Sequence, residues 1–428
     1  MDFSSLLANV QKTADSIQKK NSSDTTAKAQ EGVVNSSLNA RNRPPNSSKR
    51  SLDSMYYTSD RSRAERNQQS RNTKHPRRDR SDLSYRERKW ETMKEEIDLL
   101  PKFSLKSTEL SDNKVPARVH LCLLALTIND LPFEDIWKEW ASQQQEYMLV
   151  SLIGHAKDPI RVQSSWFQSH LLVNPPTKGR GNDFAPPTYW SRCPQWGSIE
   201  ITRAMLDLCH ECLQIGLEEP NHIKMDLRFS NNRYGINATR EHAPQLPKVD
   251  KILFISESCL PVDFFTKDIL HSPCSIVNAS DKPNNGFSRQ MQFEKINHVV
   301  PLKFKADQWM MISRLHLELI MTKLPQNFWE CFRKCNASDE LYFPTAMALL
   351  GILDAKTSNS APLVERRRIT YSDWTLSAKN PVTFQPSDLE KVVLEARKAG
   401  CIVARKFVGV SFSEWKLIVL QEIKDSKA

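Results

Sequence analysis

The sequence lacks any run of about 18 apolar residues, the length a helix needs to cross the hydrocarbon of a bilayer. Its first ten residues, Met1 to Val10, are too short an apolar stretch for a secretory signal and run straight into Gln11, Lys12 and Thr13. As written, the chain is therefore expected to have no transmembrane segment and to be cytosolic or nuclear. The usual marks of a metal centre are missing as well. No Asp-x-Asp pair occurs, and although Cys209-His210-Glu211-Cys212 has a CxxC spacing, no second CxxC and no HxxxH answers it. The nine cysteines are odd in number and irregularly spaced, so Cys209 and Cys212 read as core residues on a helix. There is no internal repeat. Residues 91–428 also lack a charge excess, with 41 Lys/Arg against 40 Asp/Glu, which argues against a globular nucleic-acid clamp.

The charge that does exist is concentrated at the start. Residues 1–90 hold 19 Lys/Arg against 10 Asp/Glu and are rich in Ser, Asn and Gln, with few large apolar side chains after position 10. Such a stretch cannot bury enough surface to offset the entropy of ordering, so residues 1–90 are expected to be a disordered basic leader. Its cluster Lys74-His75-Pro76-Arg77-Arg78-Asp79-Arg80 is either a solvated linker or a contact for an anionic partner. Residues 91–115 read as a connecting helix and linker, with Trp90, Met93 and Ile97 at helical spacing between Tyr85 and Leu100, and 116–428 as the folded domain.

Within that domain, Arg118 to Thr127 is a continuous apolar run of strand length, suited to the centre of a parallel sheet. A helix follows with Phe133, Ile136, Trp137 and Trp140 on one face, and then a second strand from Tyr147 to Gly154. This is a βαβ unit, and nucleotides bind beyond the C-terminal ends of its strands, where Thr127 and His155 sit. The proline-rich stretch 175–194 reads as a loop, Gln195-Trp196-Gly197-Ser198 leads into a helix carrying Ile201, Met205, Leu208 and Cys212, and 217–249 reads as a polar insertion. Ile252 to Ile255 is a further buried strand. Asp307 is expected to cap a helix over 308–314, Ile369 to Trp374 and Cys401 to Ala404 to be strands, and Leu389 to Ala396 an amphipathic helix. The predicted class is α/β: a mixed, mostly parallel Rossmann-like sheet flanked by helices.

Two charged places stand out. Ser338, Asp339 and Glu340 open a helix that continues to Leu350, and a carboxylate there is either a general base or simply an acid favoured by the helix dipole. Arg405 and Lys406 end the last strand, where Lys406 could neutralise a leaving diphosphate or be a solvated strand end. Without an Asp-x-Asp pair, cationic side chains in place of a metal are the arrangement the residues favour, so no cofactor is expected. Trp196 and Gln308-Trp309 either line a donor site or pack the sheet, and Cys259 reads as a buried thiol. Asn237, Asn278 and Asn336 lie in glycosylation sequons.

Seven motifs then fall in a telling order: Leu126-Thr127, Gln195-Trp196-Gly197-Ser198, Ile255-Ser256-Glu257-Ser258-Cys259-Leu260-Pro261, Gln308-Trp309, Ser338-Asp339-Glu340-Leu341-Tyr342-Phe343-Pro344-Thr345, Thr370-Tyr371-Ser372-Asp373-Trp374 and Ala404-Arg405-Lys406-Phe407. The set resembles the core-2/I-branching β-1,6-N-acetylglucosaminyltransferase family, above all its plant and algal-type members, over roughly residues 117–410. The resemblance implies a GT-A-like fold, a UDP-sugar donor, a glycan or glycoconjugate acceptor, inversion at the anomeric carbon and no metal. It places Glu340 on the catalytic base, Lys406 on the diphosphate-contacting lysine and Trp374 on an aromatic that packs against the acceptor sugar. Thr127, His155, Trp196 and Gly197 become candidates for the nucleotide. The family's second diphosphate cation corresponds to a place near Thr383, which leaves Arg405, Arg368 or Arg397 to supply it. Leu376 replaces an acceptor-site aromatic, and Asn380-Pro381 stands where His-Pro is usual. Family members are normally Golgi membrane proteins. The rival reading is a non-enzymatic module of the same fold whose leader binds nucleic acid or another acidic partner.

Overall fold

The computed structural model describes residues 80–103, 118–174, 188–217, 233–237, 246–282, 292–356, 362–375 and 380–420. All belong to the unit that begins at Asp79. Nearly all of the basic leader, the 104–117 linker and most of the 217–249 insertion lie outside the described residues.

Helix α1, Arg80–Asp98, carries Met93 and Ile97 at an i, i+4 spacing, and both are buried. Cys331 Sγ lies 3.3 Å from Met93 Sδ, and Lys89 pairs with Glu330 at 2.8 Å. Residue 90, the expected end of the leader, falls inside this helix.

Strand β1, Val119–Thr127, helix α2, Glu134–Ser142, and strand β2, Met148–Ala156, form the predicted βαβ unit. The two strands run parallel in register from Val119 opposite Met148 to Thr127 opposite Ala156. Helix α2 turns Ile136, Trp137 and Trp140 inward, and the Trp140 indole N–H donates to the Asp263 carbonyl at 2.8 Å, so the ring is buried without an orphaned donor.

Strands β3, Val173–Asn174, β4, Thr188–Trp190, and β5, Arg233–Asn237, make a small antiparallel sheet. The stretch read as loop therefore ends in a strand, because Trp190 is buried and its indole N–H finds the Asp207 carboxylate at 2.9 Å. Helix α3, Ile199–Gln214, buries Met205, Leu208 and Cys212 as its spacing predicts. Burial pushes the Cys209 and Cys212 thiols well above their ordinary value, which suits core residues.

Every residue of β6, Lys251–Ser256, is buried. Full burial of one Leu or Ile side chain contributes roughly 1.5–3 kcal/mol, so this strand and β1 form the stabilising centre of the sheet. After β7, Leu260–Pro261, come β8, Ser275–Ile276, β9, Met311–Ser313, helix α4, Arg314–Lys323, and helix α5, Asp339–Leu349. The C-terminal part adds β10, Val364–Glu365, β11, Thr370–Tyr371, helix α6, Leu389–Lys398, and β12, Val403–Ala404. The central sheet has the order β10-β8-β9-β6-β1-β2. β6 is parallel to β1, whereas β9 is antiparallel to β6 and β8.

Asp307 does not open a helix. Residues 311–313 are strand β9 and the helix starts at Arg314, because Met311 and Ile312 are wanted between β6 and β8, where both are buried. The Asp307 carboxylate instead accepts from Asn278 at 2.9 Å and pairs with Arg368 at 3.4 Å. The strands expected at 369–374 and 401–404 shrink to β11 and β12, which join β7 in a separate three-stranded sheet rather than extending the central one. Helix α6 buries Leu389, Val392, Val393 and Ala396, the predicted face. No helix among the described residues is long and apolar enough to cross a membrane.

Candidate active site

The central strand β6 ends in a tight turn at the C-terminal edge of the sheet. The Cys259 N–H donates to the Ser256 carbonyl at 3.1 Å, and the Ser256 hydroxyl lies 3.2 Å from that of Ser258. Just beyond, β7 pairs antiparallel with β12, Leu260 opposite Ala404 and Pro261 opposite Val403. The Phe407 N–H donates to the Ser258 carbonyl at 2.9 Å. This register carries Arg405 and Lys406 across the turn that holds Glu257.

Arg405 is half-buried and lies with its guanidinium carbon 4.7 Å from the centre of the Trp309 ring. Its Nε is buried and finds no hydrogen-bond partner among the described residues. Trp309 is thus a platform for a cation, two residues before β9, and is neither solely a packing residue nor exposed. The Arg405 charge acts on Glu257, Cys259 and Asp339 alike. Burial pushes the Glu257 carboxyl up, against the pull of Arg405 and Lys406. Burial also pushes the Cys259 thiol up, the condition of an inert core cysteine.

Opposite the turn stands the start of α5. Ser338 occupies the N-cap position, but its backbone is already helical and its hydroxyl meets that of Thr202 at 2.6 Å rather than capping. The loop before it is fixed from the side: the Ala337 N–H donates to the Gly197 carbonyl at 3.1 Å. Gly197 has φ +70°, a conformation that favours glycine. Glu340 is then held at both ends. Its carbonyl accepts from the Ala306 N–H at 2.8 Å, and its carboxylate Oε2 meets Lys305 Nζ at 2.7 Å, with side chains 27% and 20% exposed. Asp339 beside it is buried, with Oδ1 unpartnered among the described residues. Burial first, and the neighbouring Glu340 second, push the Asp339 carboxyl up to about 7, against Lys305 and Arg405.

Glu340, Lys305 and Arg405 thus all act on the same buried acid, Asp339, and Arg405 and Lys406 both act on Glu257. Gly197 joins this group through Ala337, and Trp196, 83% exposed, stands at its rim. Trp374 is 41% exposed, its indole N–H donating to Ser372 Oγ at 3.0 Å. Thr127 and His155 do lie at the ends of β1 and β2, but both are buried. The Thr127 hydroxyl donates to the Asn129 carbonyl at 2.7 Å. His155 Nε2 accepts from the Arg192 N–H at 3.1 Å, and burial lowers the ring to about 4, so it is neutral near pH 7. Among the candidates for a second cation, Arg397 is turned to the Val262 and Val419 carbonyls at 2.9 and 3.1 Å, and Arg368 is paired with Asp307. Of the three, Arg405 is the one that acts on both Glu257 and Asp339. Lys305 was not anticipated, since no periodicity or cap marks the irregular segment that carries it.

Among the described residues, no three His, Cys, Asp or Glu side chains gather as a metal ion would require. A separate groove of about 520 Å³ lies between α1 and Pro325–Asn327 and shares no residue with this site.

In open α/β sheets ligands bind beyond the C-terminal ends of the strands, and the turn after β6 with its charged side chains lies at that edge. A model of the Core-2/I-Branching enzyme family matches residues 241–396. The similarity to that family is confined to these residues, a little over a third of the chain. The matched stretch contains Glu257, Lys305, Glu340 and Trp374, while Arg405 and Lys406 follow it. A comparison with curated proteins finds no match.

Proposed function

We propose that this chain is an inverting, metal-independent glycosyltransferase that moves a sugar, N-acetylglucosamine or a relative, from a UDP-sugar to a carbohydrate hydroxyl. Glu340 is the general base, Arg405 and Lys406 receive the diphosphate, and Trp374 packs against the acceptor. The reaction is one displacement: the acceptor oxygen attacks the anomeric carbon, the bond to the diphosphate oxygen breaks, the hydroxyl proton passes to Glu340, and UDP departs carrying the negative charge. The observation that carries this reading is the posture of Glu340. Lys305 engages Oε2 at 2.7 Å, the carboxylate keeps a partly exposed surface, and no partner of Oε1 is found among the described residues, so that oxygen can accept a hydroxyl. Cations aimed at the leaving group supply the charge stabilisation that a divalent ion gives elsewhere.

The test is Glu340→Gln in the full chain, with UDP-N-acetylglucosamine hydrolysis or transfer as one readout and calorimetric UDP binding as the other. Activity is expected to fall by a factor on the order of 10² to 10⁴, while UDP affinity changes less than about threefold and neither readout responds to EDTA. Full activity in Glu340→Gln removes Glu340 as the base. A wild-type chain that binds no UDP removes the transferase reading altogether.

A further inference from the structure

We propose that Glu257 recognises the transferred sugar, its carboxylate accepting hydrogen bonds from hydroxyl or N-acetyl N–H groups of the donor's sugar ring. This rests on the transferase reading above and adds to it the residue that distinguishes a nucleotide-sugar from a bare nucleotide.

Three observations carry the inference. The first is position: Glu257 sits in the turn that ends β6, the strand between β1 and β9, and the turn is closed by the Cys259 to Ser256 hydrogen bond. The second is the register of β7 on β12, which with the Phe407 to Ser258 hydrogen bond sets Arg405 and Lys406 across the same turn. The third is what the carboxylate does not do. Arg405 and Lys406 are near enough to act on Glu257 electrostatically, yet no ion pair within 4.0 Å joins it to either cation, and none joins it to any other cation among the described residues.

A partly buried acid held short of two cations puts opposite charges on the two sides of a ligand bound there. A diphosphate drawn to Arg405 and Lys406 occupies one side, and a second anion cannot occupy the other, because Glu257 would repel it. The neighbour of a diphosphate in a nucleotide-sugar that brings only donors is the sugar itself. A partly buried carboxylate joined to no cation favours a ligand that brings it donors over one that does not. It also opposes the bare nucleotide, whose terminal phosphate carries more negative charge toward Glu257 than the sugar-capped diphosphate does.

The experiment compares calorimetric affinities of UDP, UDP-N-acetylglucosamine and UDP-glucose for the wild type, Glu257→Gln and Glu257→Ala, using the full chain and thermal unfolding as the folding control. In the wild type at least one UDP-sugar is expected to bind tenfold or more tightly relative to UDP. In Glu257→Ala that preference falls to within about twofold of unity, because the UDP-sugar binds more weakly while UDP binds as well as before or better; Glu257→Gln, which keeps an acceptor oxygen but no charge, falls between. A preference unchanged in both variants, or no preference in the wild type, overturns the assignment of Glu257 while leaving the transferase reading intact. Absence of UDP binding in a folded wild type overturns both.

Discussion

Replacing Asp339 by Asn should make the protein more stable than the wild type at neutral pH and leave the two nearly equal in mild acid. Asp339 is 4% exposed, its Oδ1 has no partner among the described residues, and its carboxyl is pushed up from 3.8 to about 7 by burial and by Glu340. The folded chain therefore holds this proton to a higher pH than the unfolded chain does. Between about pH 4 and pH 7 the folded state binds more protons, so stability falls as pH rises across that window and levels off above it. At about 1.4 kcal/mol per pH unit, the interval amounts to at most about 4 kcal/mol. Asn has nearly the same shape and does not ionise, so its variant escapes the loss. Urea unfolding of both proteins at pH 4.5, 5.5, 6.5 and 7.5 isolates this residue, because every other titrating group is common to the pair. The stability gap should widen steadily in favour of the variant up to about pH 7. Parallel curves, with a constant gap at all four values, would refute the reasoning and mean that Asp339 is paired or solvated.

Three further outcomes follow from the same geometry. Lys305→Ala removes a partly exposed ion pair, so stability should change by less than about 1 kcal/mol, whereas kcat should drop at least tenfold if that pair orients Glu340; steady-state kinetics beside thermal unfolding separates the two. Gly216→Ala should destabilise by several kcal/mol or prevent folding, because Gly216 has φ +77° and an added Cβ would lie 2.4 Å from the Lys248 nitrogen; an unchanged melting temperature would contradict this. His155 and His316 are both lowered to about 4 by burial, so each contributes stability that is lost as pH falls from about 6.5 toward 4. Replacing His155 by Gln should flatten the wild-type decline across that range, measured by urea midpoints.

The parts of the fold that were legible in the sequence are those where burial and local pattern agree. β1 and β2 are continuous apolar runs because parallel strands are covered on both faces, and α2, α3 and α6 show their inward faces in their spacing. β9 was not legible. Asp307 has the chemistry of an N-cap, and only the neighbouring strands, which are distant in sequence, turn the following residues into an extended segment. The site divides in the same way. Asp339 and Glu340 sit at a marked helix start, and Arg405 and Lys406 at a marked strand end, so their residue types and places could be read. Lys305 lies in a segment held by the bridge between Ser280 and Lys305, and a bridge of that kind leaves no periodic trace. The burial of His155 also escaped the reading, since it depends on the Arg192 backbone closing over the strand end. Trp196 ran the other way, an aromatic that packing would be expected to hide but that stands almost fully exposed.

The first helix sets a practical limit on how the protein can be shortened. Its Lys89 is tied to Glu330 and its Met93 to Cys331, residues more than two hundred positions further along, and Ile97 is buried. Trimming the basic leader at position 90 would cut away the first half of that helix and its only described ion pair to the body, leaving a frayed stub over two apolar side chains. A cut before Arg80 keeps the whole helix, so solubility and melting temperature of the two trimmed forms would differ for reasons unrelated to catalysis.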